Sequence, residues 1–151
     1  MIFLSFFGAG FIPKAPGTMG TIASLPFLYT FACAGLNTSL TITIFLTIFF
    51  IAILAGNVAQ QEFNQIDPQW IVIDETLGIF TAWFFRIDDS FFQLILLTIF
   101  FRFFDILKLW PASFFDKKVK NGFGIVMDDF VAGIMAGVTN FIFFKIYQIF
   151  A

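Results

Sequence analysis

No Asp, Glu, Lys or Arg occurs over residues 15–61, an uninterrupted run of 47 residues. A bilayer-spanning helix uses about 20 apolar residues, so a run of this length predicts two such helices. The turn formers Gly35-Leu36-Asn37-Thr38-Ser39 divide it, which places the helices near residues 20–36 and 39–55. Pro26 falls inside the first, which predicts a kinked or partly interfacial helix. Composition extends the argument to the rest of the chain. Only 12% of the 151 residues are charged and 27 are Phe, whereas a soluble domain carries about a quarter charged residues. Charge this sparse cannot cover the surface of a soluble fold, and it excludes disorder and nucleic-acid binding, both of which need abundant charge.

Polar residues return over 57–69, where Asp67-Pro68 reads as a helix N-cap followed by the first helical position. Further apolar segments cover about 70–85, 90–106 and 123–144, separated by a short turn at Arg86, Asp88 and Asp89 and by a loop at 107–121. The expected architecture is a single all-α domain over residues 1–151, a polytopic membrane bundle of about four to five apolar helices. Alternating crossings put Lys14, Arg102, Lys108, Lys117, Lys118 and Lys120 on one side and only Arg86 and Lys145 on the other. The positive-inside rule makes the first side cytoplasmic. The N-terminal Met-Ile-Phe-Leu-Ser-Phe-Phe lacks the basic stretch of a cleavable signal, so it is expected to be retained.

Histidine is absent and Cys33 is the single cysteine. That removes Ser-His and Cys-His nucleophiles, imidazole-bound metals and disulfide frameworks. A metal in such a chain must be held by oxygen, which favours Mg²⁺, Ca²⁺ or Mn²⁺.

Four acids nonetheless sit inside apolar segments, as two similar pairs. Ile71-Val72-Ile73-Asp74-Glu75 resembles Ile125-Val126-Met127-Asp128-Asp129, with Gly78 and Ala132 one turn after the first acid of each. Ionisable groups in such segments are costly and mark function by default. Both pairs lie near the cytoplasmic end, where they would repel unless a cation joins them, so Asp74, Glu75, Asp128 and Asp129 form a candidate Mg²⁺ site. Arg102, Asp105 and Lys108 share one helix face, either as a surface ion-pair ladder or as a fifth carboxylate flanked by phosphate-binding cations. The Gly-rich turn around Lys14 and Thr18 leads into the first helix, where backbone N–H groups can cradle an anion. Gly133 and Gly137 form a GxxxG, expected in close helix packing. The rival reading is a small cation transporter or channel subunit, which predicts acids spread across the bilayer depth.

Four ordered blocks together resemble the phosphatidylglycerophosphatase A family. They are residues 8–20 with Pro-Lys-Ala-Pro-Gly-Thr-Met-Gly, residues 67–78 with Ile-Val-Ile-Asp-Glu, Arg102-Phe103-Phe104-Asp105-Ile106-Leu107-Lys108, and residues 122–133 with Met-Asp-Asp. One position departs: Leu109 stands where the family has proline, with Pro111 following. The resemblance implies a Mg²⁺-dependent phosphatase, with Mn²⁺ as a substitute, in the bacterial cytoplasmic (inner) membrane. It would convert the phospholipid phosphatidylglycerophosphate to phosphatidylglycerol. The implied chemistry is in-line attack of water on phosphorus. Asp74, Glu75, Asp128 and Asp129 would hold metal, one of them doubling as base, while Asp105 completes the acidic set. Lys108, Arg102 and Lys14 would neutralise phosphate oxygens, and Thr18 would hydrogen-bond the phosphate.

Overall fold

The computed structural model describes residues 1–150, among which every regular element is helical. After an irregular start and a 3-10 turn at Ala9–Phe11 come α1 (Pro16–Cys33), α2 (Thr38–Phe63), α3 (Ile73–Trp83), α4 (Phe91–Leu107), α5 (Ala112–Lys118) and α6 (Gly122–Phe150). Helices α2 and α6 are long and apolar enough to cross a membrane. Exposed large apolar side chains cover the outside of the bundle, among them Phe50, Leu54, Ile99, Phe103 and Ile142.

Several boundaries follow from local chemistry. Proline opens α1 at a position whose N–H would have no partner. Gly35, at φ +57°, follows the last turn of α1 and ends it, and the Asn37 side chain accepts from Ser39 N–H at 2.8 Å to start α2. Ser90 caps α4 by accepting from Gln93 N–H at 3.1 Å. Helix α1 continues through Pro26. The polar stretch after residue 56 is still helical, because α2 runs on to Phe63 and ends at Asn64, at φ +51°. The loop at 107–121 contains the short α5, and α6 extends past residue 144 to Phe150.

Asp67 is not a helix N-cap. Helix α3 starts five residues after Pro68, at Ile73. The N-terminal segment intervenes: the Leu4 carbonyl accepts from Val72 N–H at 2.9 Å and Ile73 N–H at 3.1 Å. Those bonds hold residues 68–72 as a non-helical lead-in, with Pro68, Ile71 and Val72 buried. Glycines let other backbone press against it. A Cβ at Gly10 would lie 2.0 Å from the Trp70 carbonyl oxygen, and one at Gly20 would lie 2.5 Å from Val72 Cβ.

Helix α3 is the centre of the bundle, with ten of its eleven residues buried. It packs chiefly on α6 and also meets α1, α2 and α4. Its eleven residues rise only about 16 Å, roughly half of a bilayer's hydrocarbon core. The contact with α6 is backbone-close. A Cβ on Gly133 would sit 2.2 Å from the Gly78 carbonyl oxygen, and one on Gly78 would sit 2.9 Å from the Asp129 carbonyl oxygen. Gly137 admits the Phe85 ring in the same way, so the GxxxG does serve close packing. At the far end, Gln93 donates to Asn140 at 2.7 Å across a buried α4–α6 contact.

The Gly78–Gly133 contact leaves no room for relief, since the blocking atom is backbone. Gly133→Ala is therefore expected to destabilise the protein by about 1–3 kcal/mol, the usual cost of overpacking. A thermal melt in detergent checks this, with Ala136→Gly, which removes a methyl without crowding, as the comparison.

Candidate metal and phosphate site

The start of α3 and the second turn of α6 bring the two acid pairs to one end of the bundle. Each pair folds alike locally. Asp74 Oδ1 accepts from Glu75 N–H at 3.1 Å, and Asp128 Oδ1 accepts from Asp129 N–H at 3.0 Å. Their relative register differs by one residue from the sequence likeness. The contact partner of Gly78 is Gly133 rather than Ala132, so Asp74 is matched with Asp129. Carboxylate oxygens of Asp74, Glu75 and Asp129 all lie within 4.8 Å of one another.

Asp128 is outside that trio. Its Oδ2 receives the Lys108 ammonium at 2.5 Å, and Lys108 also donates to Asp116 Oδ1 at 2.8 Å. Lys108 reaches both because it ends α4 in the left-handed conformation, at φ +44°. Burial opposes its charge, yet Asp128 and Asp116 outweigh that and push its pKa above the ordinary lysine range. Burial likewise works against the Asp116 carboxylate, but Lys108 beside it holds its pKa below the usual value.

Arg102 is organised from two helices. It pairs with Asp105 Oδ2 at 2.7 Å along α4 and donates to Thr18 Oγ1 at 3.2 Å and Thr21 Oγ1 at 3.3 Å on α1. Thr21 in turn donates to the Gly17 carbonyl at 2.9 Å, which fixes the hydroxyl that Arg102 uses. Gly17 is where α1 meets the acids: a Cβ there would lie 2.1 Å from Glu75 Oε1. The first N–H bond at the start of α1 is from Met19 to the Ala15 carbonyl, so the Gly17 and Thr18 amides stand ahead of the ladder.

These groups enclose one cavity of about 370 Å³, lined by all five acids together with Arg102, Lys108, Gly17 and Thr18. Lys14 does not line it and stands exposed ahead of α1. Thr21, Asp116 and Asp67 were missed by the sequence reading. Asp67 lines the cavity because its segment does not become helix. Thr21 lay one turn past Thr18 on the same helix face, a spacing that could have flagged it. Asp116 carried no comparable signal, since it meets Lys108 only through the fold of the loop.

The donor set fits a hard divalent cation. Three carboxylates converge, and Glu75 Oε2 is buried without a hydrogen-bond partner, a state that a cation would relieve. Arg102, Lys108 and the helix N-terminus can meet anionic oxygens. Glu75→Gln or Asp129→Asn is expected to weaken Mn²⁺ binding, followed by electron paramagnetic resonance, by at least about tenfold. Asp128→Asn is expected to weaken it less, because Lys108 already occupies that carboxylate.

No solved structure matches the chain. Residues 2–144 match the family described as Phosphatidylglycerophosphatase A. A Haemophilus influenzae phosphatidylglycerophosphatase A is 38% identical over 140 residues, covering 89% of this chain and 82% of that protein. The Escherichia coli protein of the same name is 32% identical over 141 residues, 90% of this chain and 78% of its own length. A Bacteroides thetaiotaomicron protein provisionally named as a phosphatidylinositol-3-phosphatase is 31% identical over 136 residues, 85% of this chain and 82% of that one. With this cavity and matches that run nearly end to end, the chain belongs to the phosphatidylglycerophosphatase A family.

Proposed function

We propose that the protein is a divalent-cation-dependent phosphatase that hydrolyses phosphatidylglycerophosphate to phosphatidylglycerol and phosphate. It would act within a multi-pass bundle in the bacterial cytoplasmic membrane, with the cavity at the cytoplasmic side. The observation that carries this reading is the convergence of three carboxylates with Arg102 and Lys108 in one cavity of a chain from this family. Orientation is supported by the basic residues, six of which belong to the segments around the cavity end.

Asp74, Glu75 and Asp129 would hold Mg²⁺ or Mn²⁺. When bound, the ion offsets the mutual repulsion of these carboxylates and the charge on the phosphoryl oxygens. The chain's own groups do the rest. Arg102, braced by Asp105, Thr18 and Thr21, presents a fixed guanidinium to the phosphate. Thr18 and the first amides of α1 offer hydrogen bonds at the positive end of the helix. Lys108 stabilises charge that grows on the phosphoryl group as it transfers. Water adds to phosphorus in line while the P–O bond to glycerol breaks. The water's proton passes to a carboxylate of the cluster, and the departing alkoxide takes one up. Lys14, outside the cavity, would act only as a surface charge that attracts the anionic head group. The transporter reading loses its main support, because the acids gather at one end beside two cations.

Purified protein in mixed micelles is expected to release phosphate from phosphatidylglycerophosphate with Mg²⁺ or Mn²⁺ and to stop in EDTA. Full activity in EDTA would overturn the metal assignment. Lys108→Met is expected to slow hydrolysis by about a hundredfold. Asp116→Asn removes only the outer partner of Lys108 and should cost much less, and equal losses would reduce Lys108 to a structural clamp.

A further inference from the structure

The cavity holds about 370 Å³, enough for a phosphorylated head group but not for acyl chains that reach through half a bilayer. Under the lipid-phosphatase reading, on which this inference rests, the chains must leave by an opening onto lipid. The cavity's apolar residues locate that opening. Ile71 and Ile125 line it but are buried at 4% and 9% exposure, so they form its floor. Ile106 lines the same cavity and is 67% exposed, with Pro16 half-buried and Ala15 exposed beside it. Elsewhere the lining is polar, including Asp67, Gln69 and Lys108. One edge of a charged cavity is thus apolar and open.

That edge continues down α4. Ile99, Phe103 and Ile106 are all more than half exposed and are spaced four and three residues apart, so they lie on one helix face. On α1, Ile22, one turn past Thr18, is also half exposed. The bonds from Arg102 to Thr18 and Thr21 pin α1 to α4 at the level of the opening, which fixes its width.

We propose that the phospholipid substrate lies sideways in the protein. Its phosphate occupies the polar cavity, its glycerol backbone crosses the rim between Pro16 and Ile106, and its acyl chains run along the Ile99–Phe103–Ile106 face of α4. Continuity of that face with the phosphate cavity selects this occupant over a second copy of the chain, which would cover the open apolar edge of the cavity itself.

The test compares kcat/KM for long-chain and short-chain diacyl phosphatidylglycerophosphates in detergent. Ile106→Asn is expected to lower the long-to-short ratio by about tenfold, through KM for the long-chain lipid, and Ile106→Leu to restore it. Ile142→Asn, equally lipid-facing but on α6, should leave the ratio unchanged. An unchanged ratio in Ile106→Asn, or the same shift in Ile142→Asn, would overturn the proposal. If the unaltered protein released phosphate from neither lipid, the phosphatase reading itself would fall and this inference with it. If it turned over both and only the ratio test failed, the route of the acyl chains alone would be wrong.

Discussion

The backbone contact between Gly78 and Gly133 sets the geometry on which the rest of the structure depends. Two helices that touch through glycines have their register fixed to a fraction of an ångström, because a neighbouring carbonyl cannot yield as a side chain can. Each glycine stands four residues beyond an acid, Asp74 on α3 and Asp129 on α6. One turn of helix therefore separates the packing contact from the carboxylates, and closing the first brings the second together. Ionic groups on two independently sliding helices would drift apart to lower their repulsion. Here the apolar contact beneath them holds them in place.

Charge balance in the cavity is local. Asp105 faces Arg102 and Asp128 faces Lys108, so two of the five acids that α3, α4 and α6 bring to the cavity are already compensated by cations of this chain. The remaining three are the ones whose oxygens cluster. That division sets two ion pairs beside a negative centre within a few residues, the arrangement that the proposed cation and an anionic substrate would together use. Thr18 and Thr21 contribute by accepting from Arg102, which ties its guanidinium to α1.

Much of this was legible in the residues. The absence of charge over residues 15–61 marked two helices and the hairpin between them, because chain solvation and turn chemistry are local. The acid pairs stood out against their apolar surroundings, and both reached the cavity. What the sequence concealed depended on distant backbone. Asp67-Pro68 has the chemistry of a helix start, but the Leu4 carbonyl takes the amides of Val72 and Ile73 and delays the helix. Asp128 looks equivalent to Asp74 by its neighbours. Only the packing register, with Gly133 rather than Ala132 against Gly78, passes that role to Asp129 and leaves Asp128 to Lys108. Lys14 has the composition of an anion-binding turn, yet α1 begins after it and turns the amides of Gly17 and Thr18 inward instead.

The short α3 has a consequence for the surrounding bilayer. In the proposed multi-pass arrangement, a central helix that rises about 16 Å would not fill a hydrocarbon core of about 30 Å, and the charged cavity would take up part of the remaining thickness. Water and ions would stand well below the phosphate plane of the surrounding lipids. A lipid head group would then have to sink to reach the acids, and the depth it sinks is set by membrane thickness. Thin or fluid bilayers would shorten that descent and thick, ordered ones would lengthen it. Catalytic throughput would thus be tied to the physical state of the membrane through the length of one helix.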